Sequence, residues 1–255
     1  MPRYRPIGHE DRLTLVEHLS ELRSRIVVSL AAFGVALGLC FWQNHLLLRF
    51  VNHPLHGRKP ITFGPAEPFT TTLTVAAYGA IIIALPIVLY QLYAFVLPAF
   101  SPTERRVAFP LMMMIPFLFI GGAAFGYFLV VPAALKFLIH FNQHQFNIQL
   151  RARDYYSFFC LTLLACGICF QVPVGVLALV RLGITSPAKL RRNRRYAILV
   201  CAVVAAALPG VDPVSMILEM VPLVALYELS ILLAAAFGRP ATTEAADQLA
   251  SAEGS

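Results

Sequence analysis

Acids and amides inside apolar runs are the residues of this chain whose type and place could do chemistry. Gln91, Gln171, Glu219 and Glu228 lie within such runs, and Asp212 sits in the turn Leu208-Pro209-Gly210-Val211-Asp212-Pro213. A carboxylate shielded from water is costly, so an acid kept in an apolar span is a functional group by default. Glu228 stands near one end of its run and can reach an aqueous interface. Three placements fit Glu219. It can snorkel to the interface, pack protonated inside a bundle, or face a second helix together with Met216, its i, i+3 neighbour. Gln171 stands two residues before Pro173. Proline has no N–H, so a carbonyl about one turn earlier is left over, and a neutral amide can donate to it.

Outside these runs, Glu104 lies in the short stretch Ser101-Pro102-Thr103-Glu104-Arg105-Arg106. Two roles fit it. An acid just after Pro102 favours a helix start. A carboxylate there can also be presented to a cationic ligand, and arginine is the natural partner through paired charge-assisted hydrogen bonds. Glu17 and Glu21 are one helical turn apart. On another face Leu15, Leu19, Leu22 and Ile26 recur at helical spacing. This spacing predicts an amphipathic helix on the membrane surface, with Glu21 and Arg25 paired at i, i+4 on its solvated side.

Catalytic patterns are missing. There is no Gly-x-Ser-x-Gly, His-Glu-x-x-His, phosphate-binding loop or haem motif. His53/His56 and His140/His144 have no acid or cysteine close by in sequence, so no metal set is expected. Cys40, Cys160, Cys166, Cys169 and Cys201 all sit in apolar stretches and read as small buried hydrophobes. No cofactor is expected.

Such side chains need elements to position them, and the composition limits which elements are available. Of 255 residues, 58% are apolar and only 13% are Asp, Glu, Lys or Arg. Soluble domains carry about 25% charge. So few charges cannot cover a soluble surface, which leaves an all-α integral membrane protein. The net charge of +7 fits loops biased to Lys and Arg, and no aromatic or glycine pattern accompanies it to suggest nucleic acid. The first 25 residues hold nine charges and no apolar core, so no cleaved signal peptide is expected.

Charge-free windows mark the spans. They cover 23 residues between Arg25 and Arg49, 36 between Glu67 and Glu104, 29 between Arg106 and Lys136, and 26 between Asp154 and Arg181. Each can supply the ~20 apolar residues of a bilayer-crossing helix. Residues 196–208 and 214–237 then predict a hairpin, for six spans in all, the fifth short and the sixth interrupted by acids and Pro222. Pro86, Pro110, Pro116, Pro132, Pro173 and Pro222 predict a kinked, curved bundle. Gly34-x-x-x-Gly38 and Gly122-x-x-x-Gly126 predict close helix contacts. With six spans both ends share a side. That side holds 14 Lys and Arg against six on the other, so the termini are expected to be cytoplasmic. The expected layout is a cytoplasmic amphipathic segment over 1–25, a membrane domain over 26–237 and a disordered cytoplasmic tail over 238–255.

Four stretches together resemble one family. They are His18-Leu19-Ser20-Glu21-Leu22-Arg23-Ser24-Arg25; Pro86-Ile87-Val88-Leu89-Tyr90-Gln91-Leu92-Tyr93-Ala94-Phe95 with Pro98 and Glu104-Arg105-Arg106; Gly183-Ile184-Thr185-Ser186-Pro187 with Leu190-Arg191 and Tyr196; and Asp212-Pro213-Val214-Ser215-Met216 with Pro222 and Tyr227-Glu228. In this order they resemble TatC, the polytopic receptor subunit of the twin-arginine protein translocase. The resemblance implies a non-enzymatic receptor in a bacterial inner membrane. It would bind signal peptides bearing consecutive arginines on folded cargo, with export driven by the proton-motive force. It also implies single-span partner subunits (TatA-like and TatB-like), self-association, a curved bundle and short fifth and sixth helices. The family's signal-binding residues fall on Glu21, Glu104 and Phe95, with Glu17 as a neighbouring acid. Gln171 departs from the family, which usually has glutamate there. The family's polar partner contact near Met216 is apolar here, and Glu219, one turn on, is expected to replace it toward a partner helix. A small-solute transporter is the alternative class. It would explain intramembrane acids and kinks, but the chain has no internal repeat and its fifth segment is too short to frame a midplane site.

Overall fold

The computed structural model describes residues 15–96, 102–141, 144–145, 148–181, 184–207 and 213–237. Asp212 and the tail 238–255 lie outside the described residues. Only the backbone of Glu17 and Glu104 is described. Among the described residues the chain is helical, with a single isolated β-bridge between Ile61 and Arg151.

Helix α1 runs Leu15–Trp42 without a break and passes through the expected boundary at residue 25. Among the described residues, 15–25 are therefore the first turns of the same helix as the span. Nothing between Leu15 and Ile26 is Gly or Pro, and the i, i+4 pair of Glu21 and Arg25 bridges the turn where a bend would have to fall. After α1 come the short amphipathic α2 (Asn44–Asn52) and α3 (Glu67–Val96). α1 and α3 pack antiparallel. Arg25 meets Gln91 at one end, and Cys40 approaches Gly79 nearer the other, where a Cβ would stand 3.3 Å from its sulfur.

The third span is α4 (Pro102–Phe125), one wide π-turn (Gly126–Val130) and α5 (Val131–His140). The π-turn comes just before Pro132, whose missing N–H cannot close a regular turn. The fourth span is likewise divided. α6 (Ala152–Cys169) stops at Phe170–Gln171, and α7 (Val172–Arg181) restarts with Pro173 in its first turn. α8 (Pro187–Arg192) is capped by the Ser186 hydroxyl, which accepts from the Lys189 N–H. α9 (Arg194–Ala207) has 14 residues, about 21 Å, too short to cross a bilayer unaided. α10 (Pro213–Phe237) has 25, about 37 Å. The fifth helix is thus short as expected. The sixth is full length, because Pro222 lies inside it without ending it and its acids find places inside the fold and at its end.

The two glycine pairs behave differently. A Cβ on Gly122 would stand 2.5 Å from the Cys166 carbonyl oxygen, and one on Gly167 2.5 Å from the Phe119 ring, so α4 and α6 meet backbone to backbone. Gly34 and Gly38 have no described atom within 4 Å of a built Cβ, so the contact expected there is not made among the described residues. Two larger cores result. One lies at the α2 end, where the Tyr155 hydroxyl donates to the Val51 carbonyl at 2.6 Å and Phe50 stacks on Tyr127. The other holds α3, α4, α7 and α10 together around Tyr93, Ile115 and Leu177.

Candidate functional site: a guanidinium clamp at the N-terminal end of the bundle

The expected recognition residues gather at one end. α1 presents Glu21 and Arg25 to α3, whose last two turns carry Gln91 and Phe95. Arg25 Nε donates to Glu21 Oε1 at 3.0 Å, and Nη2 donates to the same oxygen. The remaining nitrogen, Nη1, donates to Gln91 Oε1 at 3.0 Å. One guanidinium thus joins a carboxylate on its own helix to an amide on the next. Arg25 and Glu21 keep 24% and 29% of their side-chain surface, so the clamp is not sealed inside the bundle.

Beside the clamp an apolar groove of about 370 Å³ runs between α1 and α3. Leu22, Ile26, Phe33 and Leu85 line it, and Arg25, Gln91 and Phe95 close its end. Glu104 is the third residue of α4. Only residues 97–101 separate α3 from α4, so the α4 start lies within about 21 Å of the α3 end. Helix geometry therefore brings the backbone of Glu104 to the same end as Glu21. Glu17 is one turn before Glu21 on α1.

The other polar residues take separate places. Gln171 Nε2 donates to the Ile115 carbonyl at 3.1 Å. That carbonyl belongs to α4, not to the helix of Pro173, so the amide ties two spans together at the α6–α7 break. Glu228 pairs with Arg194 at 2.8 Å on the surface, and the neighbouring Tyr227 hydroxyl donates to the Leu190 carbonyl, fixing α10 against α8 and α9. Met216 is half-buried in the first turn of α10. Glu219 corrects the expectation of an outward, partner-facing acid. It is 2% exposed and turned toward α6, beside Cys166, Cys169 and Phe170. α10 is apolar all round, so the sequence could not say which of its faces is inside.

The ion pair of Glu67 and Arg151, 2.8 Å apart at the opposite end, escaped the sequence reading. Glu67 Oε2 also accepts from the Phe63 N–H, and Ile61 and Arg151 share the β-bridge, so two loops are clasped. The hydrogen bond and charge of Glu67 push the Arg151 pKa further up. The only forecast signal was an acid opening a helix. Its partner is 84 residues away. Among the described residues no three His, Cys, Asp or Glu side chains gather as a metal site would require.

These features define a multi-pass helical membrane protein with a solvent-open, arginine-holding end. Among the described residues five helical stretches are long and apolar enough to cross a bilayer, with α9 as a shorter sixth. The profile of the family described as Sec-independent protein translocase protein (TatC) matches residues 17–222. The chain is 36% identical over 228 residues to the Sec-independent protein translocase protein TatC of Koribacter versatilis (strain Ellin345), covering 86% of this chain and 84% of that one. It is also 36% identical to the chloroplastic protein TATC of Arabidopsis thaliana, over 89% of this chain and 67% of the other. The crystal structure of the twin arginine translocase receptor TatC matches with a TM-score of 0.73 at 34% identity, over 88% of this chain and 100% of that chain. A second crystal structure of that receptor, in DDM, gives 0.76. The chain belongs to the TatC family and is a component of a Sec-independent protein translocase.

Proposed function

We propose that the N-terminal end of the bundle is the docking site for the arginine pair of twin-arginine signal peptides, with Glu21 and Glu104 as the two carboxylates. The observation that carries this proposal is the clamp itself. Glu21 and Gln91 already hold one guanidinium, Nε and Nη2 on the single oxygen Oε1 and Nη1 on the amide, which supports arginine as the guest. Phe95 and the α1–α3 groove beside it suit apolar residues following the arginines. Glu17 is a reserve acid one turn away. The excess of Lys and Arg on this face supports cytoplasmic termini. The assembled machine would add single-span partner subunits and further copies of this chain in a bacterial inner membrane, and the proton-motive force would drive export of folded cargo. Exposed apolar surface on α1, including the open faces of Gly34 and Gly38, is available for such helices.

The test is cross-linking of a photoreactive arginine-pair signal peptide to membranes holding the full chain. Each charge-assisted bond contributes about 1.5–3 kcal/mol, so Glu104→Gln should weaken capture by roughly one to two decades. Glu21→Gln should weaken it less, because Glu17 is near. Unchanged capture by the inserted Glu104→Gln protein would remove Glu104 from the site.

A further inference from the structure

At the opposite end of the bundle a cleft of about 400 Å³ opens between the segment after α2 and helix α5. Its size falls in the ~300–1,000 Å³ range of sites for organic ligands. Four basic side chains line it: His56, Arg58, Lys136 and His140. None of its lining residues is acidic. The floor is apolar, with Leu55 and Leu135 buried and Ile139 beside them. Lys136 and His140 lie one turn apart on α5, on the face that also carries Pro132 and Ile139.

The cleft lies where apolar helix gives way to polar loop. α5 ends at His140, which also ends the third span. Trp42 at the end of α1 is 81% exposed, and Phe63, Phe69 and Phe141 are exposed as well. The antiparallel packing of α1 on α3 and the shared core of α2, α5 and α6 bring these aromatics to the same end. Trp42, with an apolar ring and a polar N–H, is suited to the headgroup level of a bilayer, and the three phenyl rings add apolar surface beside it.

The histidines have settled orientations. His56 Nδ1 lies 2.9 Å from the Pro54 carbonyl, and His140 Nδ1 lies 2.7 Å from the Lys136 carbonyl. A carbonyl only accepts, so each Nδ1 carries the proton. In the neutral ring Nε2 is then an acceptor.

We propose that this cleft binds one anionic phospholipid with a hydroxyl-bearing headgroup, as in phosphatidylglycerol. Arg58 and Lys136 hold the phosphate, and the histidine Nε2 atoms accept from headgroup hydroxyls. The apolar floor takes the glycerol backbone and the start of the acyl chains. Inorganic phosphate matches the two cations but leaves this floor unused, so the lipid is the occupant the cleft favours. Basic pockets between transmembrane helices hold anionic headgroups on the cytoplasmic side of membranes, and the same pairing of cations with phosphate is offered here at the other end.

The test is native mass spectrometry of the full chain in detergent, with phosphatidylglycerol or phosphatidylcholine added stepwise. The intact chain should retain one phosphatidylglycerol about tenfold more tightly than phosphatidylcholine, and Arg58→Gln with Lys136→Gln should erase that preference. Arg49→Gln with Arg153→Gln removes the same charge outside the cleft and should leave the preference intact. If the double variant does not fold, Lys136→Gln alone should lower the preference about threefold, since its side chain is exposed and its loss disturbs no core. Equal retention of the two lipids, equal loss in the control pair, or displacement of the lipid by inorganic phosphate would overturn the proposal.

Discussion

If Glu21 receives an arginine from a signal peptide, that arginine must compete with Arg25. Arg25 Nε and Nη2 both point at Glu21 Oε1, and Nη1 is anchored on Gln91. The incoming fork gains both carboxylate oxygens only when Arg25 lets go. What Arg25 loses sets the penalty on binding. An i, i+4 pair contributes about 0.3–0.5 kcal/mol when exposed. The bond from a charged donor to Gln91 would contribute about 1.5–3 kcal/mol if fully buried. With 24% and 29% of the two ionic side chains uncovered, screening leaves roughly a third of that. The penalty is then about 1 kcal/mol, or roughly fivefold in affinity. Arg25→Gln removes the competitor, keeps good helix propensity and should tighten binding of an arginine-pair peptide by about that factor. Arg25→Lys keeps the charge without the fork and should fall between. The assay is fluorescence anisotropy of a labelled signal peptide on the full chain in nanodiscs. Arg23→Gln makes the same charge change on an exposed neighbour and should leave affinity near its starting value. The gain from Arg25→Gln should shrink as salt is raised. Equal or weaker binding by folded Arg25→Gln would refute displacement. An equal gain from Arg23→Gln would reduce the effect to net charge.

Other consequences are read more simply. Gly122→Ala places a methyl 2.5 Å from the Cys166 carbonyl oxygen, so it should destabilise the α4–α6 contact by about 1–3 kcal/mol. Thermal melting in detergent checks this, with Gly121→Ala, which meets nothing within 4 Å, as control. Gln171→Leu deletes the bond to the Ile115 carbonyl and should lower stability by about 1 kcal/mol with a modest loss of export. Gln171→Glu should retain export, since a protonated carboxyl can still donate; complete loss would show that a neutral amide is required. In a cysteine-free background Glu219→Cys should resist a membrane-permeant maleimide until the protein is unfolded, because position 219 is 2% exposed. Rapid labelling, or cross-linking to a single-span partner, would return this position to an outer face.

The spans were legible because charge is expensive in a bilayer: the window from Arg25 to Arg49 holds the apolar part of α1, and the window from Asp154 to Arg181 holds all but the first turn of the α6–α7 pair. Local geometry was legible too, since Glu21 and Arg25 pair at the spacing a helix dictates. Long-range partners were not. Gln91 is 66 residues from Arg25, and the carbonyl that receives Gln171 is 56 residues away, so no periodicity announces either contact. The glycine pairs show the same limit most sharply. Gly34-x-x-x-Gly38 and Gly122-x-x-x-Gly126 carry the same permission for close approach, yet only the second is used within the chain. The difference lies in which side of each helix is already taken. α1 spends Phe33, Ala36, Leu37 and Cys40 on Ala76 and Ala80 of α3. Residues 34 and 38 fall on the side that this stripe turns away from α3, so the glycines face outward. α4 has α6 on its glycine side and keeps Phe117 and Ile120 for the exterior. A small-residue motif therefore states how near a neighbour can come, and only the packing of the rest of the helix states whether that neighbour is in the same chain.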